Sequence, residues 1–298
     1  MRLSTLGQKY HDRAYRYAVA DAGHMIENLR LAAGDYGVRA TPLQRFDESQ
    51  IRAALGLYDP GEGVIAAVPL GGGPVPQSVA NWRYPGPPEI TDIGVTGVVQ
   101  QATSLRQVVE SGEALPAPVT LSEPVLETIR ARRSSRRFSN ELLPLDQLSA
   151  LLAASAEPGF FLSRSIVTRL VVNRVEGLSP GLYRYIPESH SLIQERSEEL
   201  GDEAYRTAFS QDVIGDASVV FLMSADRDTI FVDHGSRGYR HAFLEVGMAS
   251  ERILLGAQDQ GLNACPVGAF FDDDAAKLIG STMEEEWVLH FIGLGGTP

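Results

Sequence analysis

Cysteine is almost absent from this chain: Cys265 is the single one among 298 residues. One thiol excludes an intrachain disulfide framework and suits a reducing compartment, so a cytoplasmic location is expected. An excess of positive charge is missing too. Lys and Arg number 26 against 38 Asp and Glu, a formal net charge of −12. That balance works against non-specific binding to nucleic acid or to anionic membranes. No apolar run approaches the roughly 18–20 residues of a membrane-spanning helix. The first ten residues are polar and lack the apolar stretch of a secretory signal. What remains is an ordinary globular composition, 44% apolar, with enough chain to bury a sizeable core.

The chain contains a second copy of part of itself. Arg13-Ala14-Tyr15-Arg16 reads like Arg237-Gly238-Tyr239-Arg240, an offset of 224 residues from 15 to 239. The same offset aligns Gly23 with Gly247, Gly37 with Gly261, Pro42 with Pro266 and Phe46 with Phe270. Roughly three in ten positions between Asp12 and Pro74 are identical to their counterparts, where ordinary composition gives about one in sixteen. Two copies are too few for a solenoid, so duplication of one supersecondary unit is expected. Three regions follow: a partial repeat over 1–74, a linker over 75–118 and a complete domain over 119–298.

Periodicity places helices at Tyr15–Tyr36, at Ser122–Arg133, from Pro144 and at Tyr239–Gln260. Asp47 is positioned to cap a short helix that ends before Gly56. Strands are expected at Val64–Leu70, Ile166–Asn173, Leu182–Ile186, Leu192–Glu195, Ala217–Ala225 and Trp287–Leu294, with a loop through Pro266. The second and third of the later strands form a hairpin across Pro187-Glu188-Ser189-His190. Helices and strands mix without a βαβ rhythm, which favours α+β, with a mixed sheet flanked by helices.

The densest chemistry lies in Arg130-Ala131-Arg132-Arg133-Ser134-Ser135-Arg136-Arg137-Phe138, five arginines within eight residues. Guanidinium forks match phosphate oxygens, and serine hydroxyls add neutral donors. A solvated basic patch at a helix C-terminus explains the same charges. Pro266-Val267-Gly268-Ala269 reads either as an ordinary turn or as small residues that let a backbone approach a ligand.

The order of these motifs resembles the flavin-dependent nitroreductase superfamily, and more narrowly the SagB-type dehydrogenases, the azoline oxidases of thiazole- and oxazole-forming peptide pathways. The resemblance runs through the arginine segment, Glu176-Gly177-Leu178-Ser179-Pro180-Gly181-Leu182-Tyr183-Arg184-Tyr185, Arg237-Gly238-Tyr239-Arg240, Leu244-Glu245-Val246-Gly247 and Pro266-Val267-Gly268. It covers Ser122 to Leu294 as a full domain, and the first repeat matches only the C-terminal half of that domain. It implies a nitroreductase-like α+β fold with paired central helices and FMN at their interface. Arg132, Arg133, Ser134 and Arg136 would hold the flavin phosphate and ribityl chain. Pro266, Val267, Gly268 and Ala269 would pass the reactive ring edge. Many SagB-type oxidases carry a Lys-Tyr pair before the Arg-x-Tyr-Arg segment. Here Asp233-His234 stands at that place in the complete domain, and Lys9-Tyr10 stands there in the partial repeat. Lys9, Tyr10 and His234 are therefore the candidate catalytic groups. The resemblance implies oxidation of an azoline-type heterocycle or peptide-derived intermediate. An NAD(P)H-dependent nitro or quinone reductase and a non-catalytic binding subunit are the alternatives. A homodimer, or a complex with a pathway partner, is the expected assembly.

Overall fold

The structure is a computed structural model that describes residues 9–10, 13–58, 62–71, 112–118, 125–156, 165–232 and 235–298. Its centre is a sheet of strands β1 (Glu113–Ala114), β2 (Ile166–Val172), β3 (Gly181–Ile186), β4 (Ser191–Arg196), β5 (Val219–Asp226), β6 (Leu262–Val267) and β7 (Glu286–Gly296). Their order is β1-β4-β3-β2-β5-β7-β6. The α+β class holds. Every ladder between these strands is antiparallel, so the expected mixed sheet is corrected.

The helices among the described residues are α1 (Ala14–Asp35), α2 (Glu48–Ala54), α3 (Val125–Ala131), α4 (Leu145–Ser155), α5 (Gly201–Thr207), α6 (Asp212–Gly215), α7 (Arg227–Val232), α8 (Arg237–Asp259) and α9 (Asp272–Leu278). None of them is long and apolar enough to cross a membrane. α1 and α8 end alike. Gly37 and Gly261 follow with φ of 67° and 69°, the left-handed conformation that closes a helix C-terminus and that glycine adopts without a Cβ penalty. At α2, the Gln50 N–H bonds Asp47 Oδ1 at 3.0 Å and the Gln50 side chain reaches back to Asp47 Oδ2, as the capping pattern implies.

The sheet has a core on each face. Along β5, Val219, Phe221, Met223 and Ala225 join the cluster under α1, α4 and α8, while Val220 and Leu222 join the cluster under α5, α6 and α9. This is the two-residue alternation of a strand buried on both sides, which is why its sequence reads as a continuous apolar run.

Three expectations change in the structure. Val64–Leu70 is extended but is no strand. It touches Ala40–Leu43 through the Ala40–Leu70 bridge and the bonds Thr41 N–H to Pro69 O and Leu43 N–H to Ala67 O. Pro42 and Pro69 bring no N–H to a ladder, so pairing stops there. The loop through Pro266 is largely strand β6, which tolerates proline because it is the sheet edge. Thirdly, the arginine run is helical only to Ala131. Beyond it, the Ser135 N–H bonds Ala264 O at 3.1 Å and the Ser139 N–H bonds Gly296 O at 2.9 Å. The run therefore lies along the β6–β7 end of the sheet. The linker over 75–118 and the Ser122 cap fall mostly or wholly outside the described residues.

α1 and α8 cross in close contact at Gly23 and Gly247. A Cβ on Gly23 would strike the Leu244 carbonyl and come within 2.9 Å of Gly247 Cα, and a Cβ on Gly247 would strike the Ala20 carbonyl. Around the crossing the contacts are reciprocal. Arg16 Nε donates to Tyr239 Oη at 2.7 Å, and Arg240 Nε donates to Tyr15 Oη at 2.9 Å. Arg13 and Arg16 pair with Asp272 at 2.7 and 2.8 Å, while Arg237 and Arg240 pair with Glu48 at 2.7 and 2.6 Å. Tyr15 and Tyr239 stack between them, ring centroids 6.4 Å apart. Each of these residues is matched to its counterpart by the 224-residue offset.

Candidate functional site

A cleft of about 780 Å³ opens where α1, α8, the arginine run and the end of β6 meet. The run contributes Arg132, Ser134 and Arg136 to its wall. That spacing of two is the side-chain alternation of extended backbone. Arg133 falls on the other phase and bonds back to the carbonyls of Arg130 and Arg132. Arg132 Nε lies 3.2 Å from Glu251 Oε1 on α8. Arg136 bears on Cys265. Burial pushes that thiol up, and the charges of Arg136 and Arg132 only partly pull it back. Cys265 is thus a buried neutral thiol, not a thiolate nucleophile.

The opposite wall is the stretch Pro266, Val267, Gly268 and Ala269. Gln211 Nε2 holds the Ala269 carbonyl at 3.0 Å, and Arg13 Nη1 reaches the Gly268 carbonyl at 3.4 Å. Tyr17 packs directly on Gly268, where a Cβ would come within 2.7 Å of its ring. Among the described residues no turn or loop carbonyl takes the N–H of Gly268 or Ala269.

The floor is polar. His24 Nδ1 and Glu251 Oε2 are 2.7 Å apart, and Asn28 Nδ2 donates to Glu251 Oε1 at 2.9 Å. Burial alone would raise Glu251, but the His24 hydrogen bond and charge, with Arg132 and Asn28, hold it below the usual carboxylate range. Asp21, one turn from His24, is raised by burial. His290 on β7 stands with its ring 6.0 Å from that of His24. Complete burial, with the nearby His24, lowers it to about 3, so it is neutral near pH 7. His290 Nε2 and Asn28 Oδ1 are buried and have no hydrogen-bond partner among the described residues.

The sequence profile of the Nitroreductase family matches residues 2–72 and 129–296. The chain belongs to the nitroreductase family. MJ1384 of Methanocaldococcus jannaschii, which carries a nitroreductase name, is 32% identical over 158 residues, half of this chain and 80% of that protein. A crystal structure of an Anabaena variabilis protein of the same description superposes with a TM-score of 0.78 and 25% identity, covering all of this chain and 68% of its own. Another from Ralstonia eutropha has a TM-score of 0.54 and 24% identity, over 62% of this chain and 89% of that one.

In this family member, seven of the eight residues expected to hold a cofactor line one cleft; Arg133 does not. The sequence reading took the arginine run as a helix end, which hides the two-residue alternation that separates Arg133 from its neighbours. Of the expected catalytic residues, Tyr10 reaches the cleft and packs edge-on against Tyr17, centroids 5.3 Å apart. Lys9 lies outside it, its Nζ 4.8 Å from the Tyr10 ring centroid. His234 falls outside the described residues. Sequence reasoning missed His24, Asn28, Glu251 and His290. The signal for the first two was present: Arg13, Tyr17, His24 and Asn28 interrupt the small-residue face of α1 at helical spacing.

Proposed function

We propose that this cleft binds flavin mononucleotide and that the protein is an FMN-dependent oxidoreductase. The observation that carries this reading is the convergence of Arg132, Ser134 and Arg136 with the Val267–Ala269 backbone on a single cleft. The residues fit such a ligand. The exposed Arg136 guanidinium, together with Arg132 and the Ser134 hydroxyl, provides charge-assisted donors for a phosphate and a polyol. The backbone at Gly268 and Ala269 is close to the cleft and free of turn partners, as a donor to a polar ring edge needs to be. Bound there, a flavin would supply two-electron hydride chemistry. The rest of the work falls to the chain: binding the anion, excluding water and moving a proton.

For the substrate, the motif order favours dehydrogenation of an azoline-type heterocycle or another peptide-derived intermediate. Reduction of a nitro compound or quinone by NAD(P)H is the second reading. It is favoured by the position of Lys9, outside the cleft, since the oxidase resemblance puts a lysine at the reacting centre. Rapid bleaching of bound flavin by NAD(P)H would select the reductase, and its persistence until an azoline peptide is added would select the oxidase. We also infer that the repeats arose by duplication, with the α1–α8 crossing standing in one chain where two subunits' helices would meet.

The binding reading is tested by fluorescence titration of FMN into wild-type protein and an Arg132→Ala/Arg136→Ala variant. Each charge-assisted bond is worth about 1.5–3 kcal/mol, so the double variant should bind at least about a hundredfold more weakly. An unchanged dissociation constant would remove the arginine run from the flavin site.

A further inference from the structure

We propose that His24, oriented by Glu251, is the proton-transfer group of this cleft; the proposal rests on the flavin reading above. Its Nδ1 is occupied by the Glu251 carboxylate at 2.7 Å. A carboxylate accepts only, so Nδ1 carries the hydrogen and the tautomer is fixed with Nε2 as the bare nitrogen. Nε2 makes no hydrogen bond among the described residues and is not one of the buried unpartnered atoms, so it faces the open cleft that the His24 side chain lines. A base held by a third group, with its reactive nitrogen pointing into a cavity, is the arrangement of a general acid–base residue.

The internal repeat separates this pair from the framework. By the 224-residue offset, His24 corresponds to Met248 and His290 to Ala66. Glu251 corresponds to Glu27, which is closed off by Arg30 at 2.6 Å and Arg252 at 3.2 Å. The framework contacts of α1 and α8 are reciprocal, whereas the two histidines occur on the cleft side only. Packing the helices therefore does not require them.

The groups around His24 come from four elements. Glu251 on α8 and Asp21 on α1 itself bring carboxyl groups to its side. Arg132, bound to the same Glu251, brings a cation near His24. His290 on β7 is neutral at working pH and cannot replace it as an acid. In a two-electron oxidation the substrate loses a hydride and a proton. The hydride, with its electron pair, would go to a bound oxidised flavin. The proton leaves an N–H or C–H bond for the Nε2 lone pair, and the electrons of that bond become the new double bond. In the reducing direction the imidazolium returns the proton to the acceptor oxygen after hydride arrives, as in quinone to hydroquinone.

Two measurements decide the matter. ¹⁵N imidazole NMR of the flavin-free protein should show neutral His24 as the Nδ1–H tautomer, with that preference lost in Glu251→Gln. A neutral Nε2–H tautomer would overturn the proposal whatever the protein binds. In the second, FMN-loaded protein is reduced with dithionite and mixed with 1,4-benzoquinone. His24→Gln can still donate to Glu251, so FMN affinity should stay within a few-fold. Reoxidation should slow by about 10²-fold and lose its pH dependence. Equal rates and an equal pH profile in the variant would overturn the assignment of His24. Failure of the wild-type chain to take up FMN would instead overturn the flavin reading.

Discussion

His290 shows how much one buried side chain can set the acid response of this fold. Its folded value of about 3 lies far below the roughly 6.5 of an exposed imidazole, so the unfolded chain takes up a proton that the folded chain refuses. Because the folded value is lowered, the contribution to stability is complete above about pH 6.5 and drains away as the pH falls towards 3. One proton corresponds to about 1.4 kcal/mol per pH unit below 6.5. Urea unfolding at pH 7, 6 and 5 should show this slope, and His290→Gln should flatten it by about that amount per unit. Coincident slopes would mean that His290 is not held neutral by burial. Glu251 acts in the same direction at lower pH. Its depressed value stabilises the fold above the ordinary carboxylate range and is lost on further acidification. Neither residue was legible as buried from the sequence, because a lone histidine or glutamate carries no periodic signature. The arginine run was legible through its density, yet the side each arginine takes depends on the Ser135–Ala264 bond, a contact between residues far apart in the chain.

At the scale of elements, the α1–α8 crossing is set by two glycines. Each added Cβ would meet carbonyl oxygen and Cα atoms of the facing helix, which are backbone and cannot rotate away. Gly23→Ala and Gly247→Ala should therefore each destabilise the protein by about 1–3 kcal/mol or more, despite the better helix propensity of alanine, through a forced widening of the crossing. Gly34→Ala is the control, since its Cβ would meet nothing within 4 Å. Thermal unfolding of the three variants checks the comparison, and equal shifts would mean that the crossing is loose. These helices were readable from sequence because 3.6-residue periodicity and terminal glycines are local signals. Strand pairing is not local. Val64–Leu70 has the composition of a strand but meets Pro42 and Pro69 where a ladder would form. β6 has a proline that argues against a strand, yet it occupies an edge where the missing N–H costs nothing in the ladder. The short helices α5, α6 and α7 went unread for the same reason: they are held by packing on the sheet, with too few turns to show a period.

At the scale of the whole molecule, the α1–α8 crossing is reciprocal in its contacts while the chemistry around it is one-sided, and that contrast bears on how many ligands one chain should take. The reciprocal set Arg13, Arg16 and Asp272 against Arg237, Arg240 and Glu48 locks both ends of the crossing in the same way. A symmetric frame alone would suggest two equivalent clefts. On the side of the first repeat, however, the stretch that corresponds to Pro266–Phe270 runs from Pro42 to Phe46. There the Gln44 carbonyl takes both Arg237 Nε and His241 Nε2 at 2.9 Å, and the Arg237 guanidinium covers the Phe46 ring at 4.4 Å. A glutamine side chain stands where the other side has Gly268, while Met248 and Ala66 replace the imidazoles of His24 and His290. The backbone approach is filled, both imidazoles are missing and Glu27 is closed off by Arg30 and Arg252, so a flat anionic ligand finds the matching set of open donors on the cleft side. We therefore expect one FMN per chain, bound in a single phase. Equilibrium dialysis against FMN at saturating concentration, with protein quantified by amino-acid analysis, measures the ratio directly. A ratio of two would show that the first repeat also holds flavin. In that case Gln44→Gly, which opens the approach in the proposed inactive half, should leave the ratio unchanged, whereas under the one-site reading Gly268→Gln should abolish binding altogether by driving a side chain into Tyr17.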